Sequence, residues 1–199
     1  MSVIVNTSAT GGYLSPSSSP STEIQLEDVL HDALAGITGL AATKVRPRWQ
    51  ANPPKQPGHT VDWCAFGIQE DEPDQYSAVL HDGSAAEGEG TDTVISWESL
   101  VVLVSFYGPN AWNLAGRLRA GLAIEQNRAP LRAAGLALGE VGRRTKAPEL
   151  VNNTWLERVD QPLLLRNESR RTYGVKNIVC GSVAIETDTG LFVQTTPMT

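Results

Sequence analysis

The most informative hydrophobic pattern of the chain lies between residues 93 and 126, where a long apolar strand precedes an amphipathic helix. Successive side chains of a strand point to opposite faces, so an exposed strand normally keeps one face polar. One alternating set consists of Leu100, Val102, Val104 and Phe106. The other set consists of Trp97, Val101, Leu103 and Tyr107, with Ser99 and Ser105 as polar members. A strand that is apolar on both faces is covered on both, so we expect helices on one face and a neighbouring subunit on the other.

Apolar residues at helical spacing predict two main helices. The first begins after Ser21 or after a capping box of Thr22 and Gln25, and it ends near Gly36 or Gly39. Its apolar positions are Leu26, Val29, Leu30, Ala33, Leu34 and Ile37. The second helix follows Asn110, the predicted N-cap, and its apolar stripe is Ala111, Leu114, Ala115, Leu118 and Leu122. Pro130 is expected to open a further short helical piece, from Leu131 to Ala134, which Gly135 closes.

The other apolar segments alternate with a period of two and predict strands. They cover about 44–50, 60–69, 75–80, 136–144, 155–166, 171–175 and 178–186. The polar residues between 166 and 171 are interpreted as a turn. The order of helix, strands, helix and strands predicts an α+β fold. We expect a mostly antiparallel β-sheet with the two main helices packed on one face and with extended arms at both ends.

The composition divides the chain into an arm, a domain and a tail. Residues 1–21 are rich in Ser and Pro and bury too little apolar surface to order themselves, so we expect contacts outside their own fold to hold them. Residues 22–188 are predicted to form a single α+β domain, since 199 residues fit one domain. Residues 189–199 are predicted to be an extended tail, and Leu191 and Phe192 are expected to pair with a neighbour as an added strand.

The charge balance limits the classes of partner. The chain has 16 Lys and Arg against 22 Asp and Glu, a net charge of −6, which argues against a dedicated nucleic-acid binder. No apolar run approaches the roughly 18 residues needed to cross a bilayer, so no membrane partner is expected. The start of the chain lacks the pattern of a secretory signal, and we expect the protein to stay in the cytosol. Cys64 and Cys180 lack metal-ligand spacing and are typical of buried free thiols.

No group of residues indicates catalysis, a metal or a cofactor. His31, His59 and His81 share no metal-ligand spacing with one another or with a cysteine. His81 and Asp82 match half of a catalytic triad, but no serine lies in a Gly-x-Ser-x-Gly turn. The acidic run at 70–74 is interpreted as a solvated loop rather than a cation site. We therefore predict a protein that is not an enzyme, with a small hydrolase or ligand-binding domain as the rival.

Two groups of basic residues allow more than one interpretation. They are Arg143, Arg144 and Lys146, and then Arg166, Arg170 and Arg171. One interpretation is a site for duplex DNA. Another is a solvated hairpin end or inter-subunit ion pairs, because acidic stretches of the same chain are available as partners. A third is a channel wall whose few arginines touch the DNA backbone without holding it.

Several short motifs resemble those of phage neck and tail terminator proteins. The first is Trp97-Glu-Ser followed by Val102-Leu-Val-Ser-Phe-Tyr-Gly and a helix with Ala111 and Leu118. The second is Trp155-Leu-Glu-Arg-Val-Asp160, which leads into a strand with Tyr173. The order of elements is also similar, and the resemblance covers roughly residues 22–188.

This resemblance implies a structural virion protein of the phage neck, at the head–tail junction, assembled in the host cytoplasm. Members form a ring, typically a homohexamer, that caps the tail tube and joins it to the head connector while genomic DNA passes through the channel. The implied partners are other copies of the chain, the tail tube protein and the head-side connector or neck proteins. Another neck component, such as a head completion or adaptor protein, is the alternative. The residues expected at subunit interfaces are Trp97, Val101, Leu103, Tyr107, Leu191 and Phe192.

Overall fold

The structure is a computed structural model that divides the chain into two compact units. It describes residues 8, 10–18, 20, 25–84, 88–151 and 153–177 in full, and the backbone alone of 23–24, 180–187 and 190–197. The small unit comprises Met1–Pro20, Ser77–Ile95 and Arg170–Thr199. The large unit comprises Ser21–Tyr76 and Ser96–Ser169.

Three α-helices and eleven strands are formed by the described residues. The helices are α1 (Glu23–Thr38), α2 (Ala111–Leu122) and α3 (Glu125–Ala133), and a 3₁₀ turn covers Ala42–Lys44. The strands are β1 (Val45–Pro47), β2 (Trp63–Pro73), β3 (Ala78–Asp82), β4 (Glu89–Tyr107), β5 (Leu136–Val141), β6 (Thr145–Lys146), β7 (Glu149–Val151), β8 (Thr154–Leu156), β9 (Arg158–Lys176), β10 (Cys180–Thr187) and β11 (Gly190–Pro197).

The main sheet has the strand order β1-β2-β4-β9-β5, and β6 also pairs with β9. Strand β1 runs parallel to β2, whereas β2 and β4, β5 and β9, and β6 and β9 are antiparallel. Side-chain hydrogen bonds join Ser99 to Arg166 and Ser105 to Asp160, so β4 and β9 also run in opposite directions. The predicted α+β class with a mostly antiparallel sheet is confirmed.

The inner face of this sheet is buried under the helices. Val102, Val104 and Phe106 of β4 are 0 % exposed, and they belong to one continuous hydrophobic core. The helices contribute Leu26, Leu30, Leu34, Leu114, Ala115, Leu118 and Leu122 to this core. Burying a side chain of the size of Phe106 contributes roughly 1.5–3 kcal/mol to folding. The predicted helix cover on one face of β4 is therefore confirmed.

The local signals at the helix ends differ from the prediction in two places. Asn110 is the N-cap of α2, but its side chain makes no capping hydrogen bond and instead donates to Asp62 at 2.8 Å. Pro130 lies inside α3 instead of opening it. The helix begins at Glu125, whose carboxylate forms ion pairs with Arg128 and Arg132. The predicted caps of α1, Ser21 and Thr22, lie outside the described residues.

The predicted turn between residues 166 and 171 is wrong, since β9 runs without interruption through this segment. Its polar side chains are partnered or buried within the sheet. Asn167 is 7 % exposed and donates to Glu98 at 3.0 Å, and Ser169 is 2 % exposed. The polar residues of this segment therefore predicted a turn, whereas the structure accommodates them within a continuous strand. Further along the chain, Val151 pairs with Thr154 in the antiparallel pair of β7 and β8.

The small unit contains two pairs of antiparallel strands. Strand β3 pairs with residues 91–95 of β4, and β10 pairs with β11 in an antiparallel hairpin. The backbone of residues 190–197 therefore pairs with the same chain. No described helix is both long and apolar enough to cross a membrane.

The described residues of the N-terminal arm are hydrogen-bonded to their own chain, and contacts outside this fold stay a prediction. The backbone N–H of Ser17 donates to the Thr172 carbonyl at 2.7 Å, and the Thr172 N–H donates to the Ser18 hydroxyl at 3.1 Å. Further along, the Lys176 N–H donates to the Ser8 hydroxyl at 2.5 Å. The described part of the arm, which is poor in apolar residues, thus contacts the end of β9 through hydrogen bonds.

Candidate interaction surfaces

The outer face of β4 opens to solvent toward its start. Trp97 is 37 % exposed, and Val101 and Leu103 are half-buried, in contrast to the fully buried Val102 between them. We call Trp97, Val101 and Leu103 the apolar stripe. Strand register places Glu70 opposite Val101 and Glu72 opposite Ser99, so two exposed carboxylates border the stripe along β2. The open part of the face therefore combines apolar surface with negative charge.

The other end of this face is covered by the same subunit. Tyr107 is 6 % exposed, and its ring stacks on Trp63 with centroids 4.2 Å apart. Arg46 lies over the Trp63 ring at 5.6 Å, and Arg158 lies over the Tyr107 ring at 5.9 Å. Tyr107 thus receives its cover from its own chain, which leaves it little surface for a neighbour.

A charged hydrogen-bond network closes this covered end. Asp160 accepts hydrogen bonds from Arg158 at 2.8 and 2.9 Å and from the Ser105 hydroxyl. Arg158 also pairs with Glu149, and Arg48 donates to Ser105 at 2.5 Å. Burial lowers the pKa of Arg158, but its hydrogen bonds to Asp160 and Glu149 outweigh burial and leave the pKa raised. These hydrogen bonds give the partly buried charges of Arg158 and Asp160 partners, which lowers the cost of burying them.

Arg166, one of the predicted basic residues, lies at the open end of the outer face. It pairs with Asp74 at 2.6 Å and donates to the Ser99 hydroxyl at 2.6 Å. The hydrogen bond to Asp74 raises the pKa of Arg166. The acidic run at 70–74 is thus not a solvated loop: Glu70, Asp71 and Glu72 lie in β2, and Asp74 is an ion-pair partner.

An open groove of about 370 Å³ borders the covered end. Its walls include Trp49, Pro53, Pro54, Trp63 and Tyr107. Trp49 is 68 % exposed and adopts a positive φ of 56°, which is costly for a residue with a side chain. A Cβ on Gly67 would lie 2.8 Å from the Trp49 ring, so the glycine allows this ring to rest on the sheet.

The cations of the β5–β6 segment gather around an exposed tryptophan of α2. The guanidinium of Arg144 lies 3.6 Å from the ring centroid of Trp112 and donates to the Trp112 carbonyl at 3.0 Å. The Lys146 ammonium lies 5.9 Å from the same ring, and Arg143 is exposed nearby in sequence. Trp112 itself is 46 % exposed. We call Arg143, Arg144, Lys146 and Trp112 the cationic patch.

The remaining predicted residues belong to the small unit. Arg170 and Arg171 are consecutive in β9, so their side chains point to opposite faces of the strand. Leu191 and Phe192 lie in β11, opposite Glu186 and Ile185 of β10. Their assignment to an interface or a channel stays a prediction, as does that of the apolar stripe and of the other basic residues.

The candidate catalytic residues form isolated contacts. The His81 ring lies 2.7 Å from the Asp92 carboxylate, whose hydrogen bond raises the pKa of His81, whereas Asp82 accepts a hydrogen bond from the Ser84 N–H at 2.9 Å. Burial raises the pKa of Cys64 to about 12, so this thiol is inert at neutral pH. Among the described residues, no cluster of three His, Cys, Asp or Glu side chains is arranged to hold a metal ion.

Sequence reasoning missed the two tryptophans that complete these surfaces. Trp112 lies in a helix whose predicted feature was its buried stripe, and Trp49 lies two residues after the short strand β1. A usable signal existed for Trp112, since it stands on the polar side of an amphipathic helix, where a large aromatic residue is unusual. No such local signal marks Trp49, because its position depends on Gly67, eighteen positions along the chain.

The described residues form an α+β fold with exposed apolar and cationic surfaces. A family model for phage neck terminator proteins matches residues 25–189, and the chain belongs to this family. The match covers nearly the range of the sequence resemblance, which is thereby confirmed. No curated protein sequence matches the chain. Membership supports a structural role in the tail or neck of a bacteriophage.

Proposed function

We propose that this protein forms a ring, a homohexamer, that ends the phage tail tube and joins it to the head connector. The observation that carries the proposal is the apolar stripe of a chain that belongs to the neck terminator family. Side chains as apolar as Val101 and Leu103, left half-buried on an otherwise well-covered sheet, are suited to a protein partner.

The ring acts by geometry rather than by chemistry. One of its faces matches the end of the tube, and the other accepts a connector in place of further tube protein. A closed ring needs two different patches on each subunit, one for each neighbour. The apolar stripe and the cationic patch lie on different elements of the large unit and differ in chemistry, which suits such an arrangement.

The net charge of −6 suits a channel through which DNA passes, because many phosphate contacts would hold the duplex in place. We therefore propose only transient, non-specific contact with genomic DNA. The basic residues of the cationic patch and Arg166 remain candidates for the channel wall or for ion pairs between subunits.

The direct test combines mass measurement with electron microscopy of phage. Native mass spectrometry of the purified protein should show a hexamer, or a monomer–hexamer equilibrium that shifts with concentration. Particles that lack this protein should carry overlong tails. A strictly monomeric protein at high concentration that also fails to bind tail tube protein would overturn the proposal.

The same micrographs distinguish the rival neck component. DNA-filled heads without tails would indicate a head completion or adaptor protein instead of a terminator. The hydrolase alternative needs a nucleophile beside His81 within one cleft, in addition to the contact that His81 makes with Asp92. Unchanged phage assembly with His81→Ala would dispose of that alternative.

A further inference from the structure

We propose that the ring contact joins the apolar stripe of one subunit to the cationic patch of the next. In this contact Trp112 packs on Val101 and Leu103, while Arg144 and Lys146 pair with Glu70 and Glu72. The inference rests on the proposed ring and identifies the two surfaces that close it.

The charged groups of the two surfaces lie on opposite sides of β4, the strand that carries the apolar stripe. In the order β1-β2-β4-β9-β5, strand β2 flanks β4 on one side, and β5 flanks β9 on the other. The carboxylates Glu70 and Glu72 belong to β2, whereas Lys146 belongs to β6, which pairs with Asp160 and Val159 of β9. A head-to-tail contact requires this separation, because each subunit must present both patches at once.

Within the part of the chain that the structure describes, the charges of both surfaces have no ion-pair partner of opposite sign. Among the described residues, Arg143, Arg144 and Lys146 form no ion pair with a carboxylate, and Glu70 and Glu72 form none with a cation. Other exposed charges nearby are paired, as in Arg166 with Asp74 and Arg132 with Glu125. The charges of the two surfaces are opposite in sign, so they complement each other across a contact between copies.

The cationic patch is also held in a fixed geometry. Stacking at 3.6 Å and a hydrogen bond at 3.0 Å both fix Arg144 against Trp112. A side chain that is already ordered loses less conformational entropy when a partner binds. Tryptophan and arginine are the residue types that most often dominate the binding energy of an interface. The patch thus has the composition and the rigidity of an interface centre.

The apolar component favours a second copy of the chain over nucleic acid. A DNA backbone would pair with the cations but would leave the half-buried Val101 and Leu103 uncovered. The cationic patch holds three cations in a chain of net charge −6, which is a small electrostatic footprint for a duplex. A neighbouring subunit covers both the charges and the apolar surface.

A charge-exchange experiment on the full-length protein tests the proposal. One variant carries Arg144→Glu and Lys146→Glu, and the other carries Glu70→Lys and Glu72→Lys. Each variant alone should show at least a tenfold weaker assembly, because like charges then meet at every contact. Mixed in equal amounts, the two should form alternating rings, since each reversed patch now faces its complement. Native mass spectrometry resolves the mixed species by subunit mass.

The matched control for the Arg144/Lys146 variant is Lys44→Glu with Lys55→Glu, which lowers the net charge by the same amount outside both patches. Circular dichroism checks that each variant folds. Formation of rings in the mixture is independent evidence that both variants are folded. If the wild type and both variants form rings of equal stability, the inferred contact is wrong, although the proposed ring still stands. Loss of duplex binding by the Arg144 variant without any loss of rings would also overturn it, in favour of a DNA contact. A wild type without rings would instead defeat the proposed function itself.

Discussion

The two faces of β4 carry almost equally apolar side chains but meet different surroundings. On the inner face, Val102, Val104 and Phe106 are completely buried under helices of the same subunit. On the outer face, Ser105 and Tyr107 are buried, whereas Val101 and Leu103 are half-buried and Trp97 is more than one third exposed. The inner face is thus completed by folding, and the outer face is completed by the subunit only at one end.

The difference shows what each face contributes. Full burial on the inner face makes it the main source of folding free energy. The exposed part of the outer face contributes less to the isolated subunit and keeps its apolar surface for association. Adjacent residues on the strand should therefore respond differently to the same substitution.

The largest effect is expected from Val102→Asp on the inner face. The carboxylate would enter a core where the wild-type side chain is 0 % exposed and where the neighbouring side chains are apolar. An uncompensated buried charge costs about 3–5 kcal/mol or more, a large share of the stability of a typical domain. Circular dichroism should show no cooperative thermal transition. A folded Val102→Asp protein with a near-native Tm would contradict the burial of this face.

Leu103→Asp tests the outer face at the next position. The side chain is half-buried, so the subunit should stay folded with a loss of ~1 kcal/mol, while ring assembly should weaken at least tenfold. Sedimentation velocity at several concentrations measures the assembly, and thermal denaturation measures the fold. Leu103→Met keeps the apolar volume and serves as the control that should still assemble. Normal rings with Leu103→Asp would exclude this residue from the interface.

Asp160→Asn compares the covered and open ends of the outer face. Removing the charge weakens the hydrogen bonds that Arg158 and Ser105 make to this side chain at the covered end. The expected loss is about 1–3 kcal/mol, because partly buried donors lose a charged acceptor. The matching change Asp74→Asn breaks the exposed pair with Arg166 and should cost much less, because solvent screens this pair. Urea denaturation of both variants measures the difference, and equal losses would show that the two ends do not differ.

Much of the large unit was predictable from local patterns, because its periodicity and its packing agree. The buried positions of α2, Ala111 to Leu122, match the predicted stripe, and the apolar alternation of β4 correctly indicated a doubly important strand. The error at residues 166–171 has a physical cause. Polar residues such as Asn167 and Ser169 are tolerated inside β9 because long-range partners satisfy them, and sequence alone does not reveal those partners.

The cover of the outer face was less predictable for the same reason. Trp63, Arg48 and Glu149 come from distant segments, and only the fold brings them to Tyr107, Ser105 and Arg158. The sequence therefore indicated that β4 has two apolar faces but not which part of the outer face its own chain covers. That division decides which of the predicted interface residues keep exposed surface.

The smallest effect is expected from Asp71→Asn at the margin of the inner face. Asp71 pairs in register with Leu100, and partial burial, together with the nearby Glu98, raises its pKa. A carboxyl whose folded pKa exceeds its unfolded value destabilises the fold when ionised, so stability should fall as the pH rises through the raised pKa. Asn carries no charge, and the variant should have a slightly higher Tm than wild type at pH 7. The two proteins should converge below the usual pKa of aspartate, near pH 4, where both states are protonated. Thermal denaturation across this range measures the effect, and a variant less stable than wild type at pH 7 would show that the charged form of Asp71 is favourable.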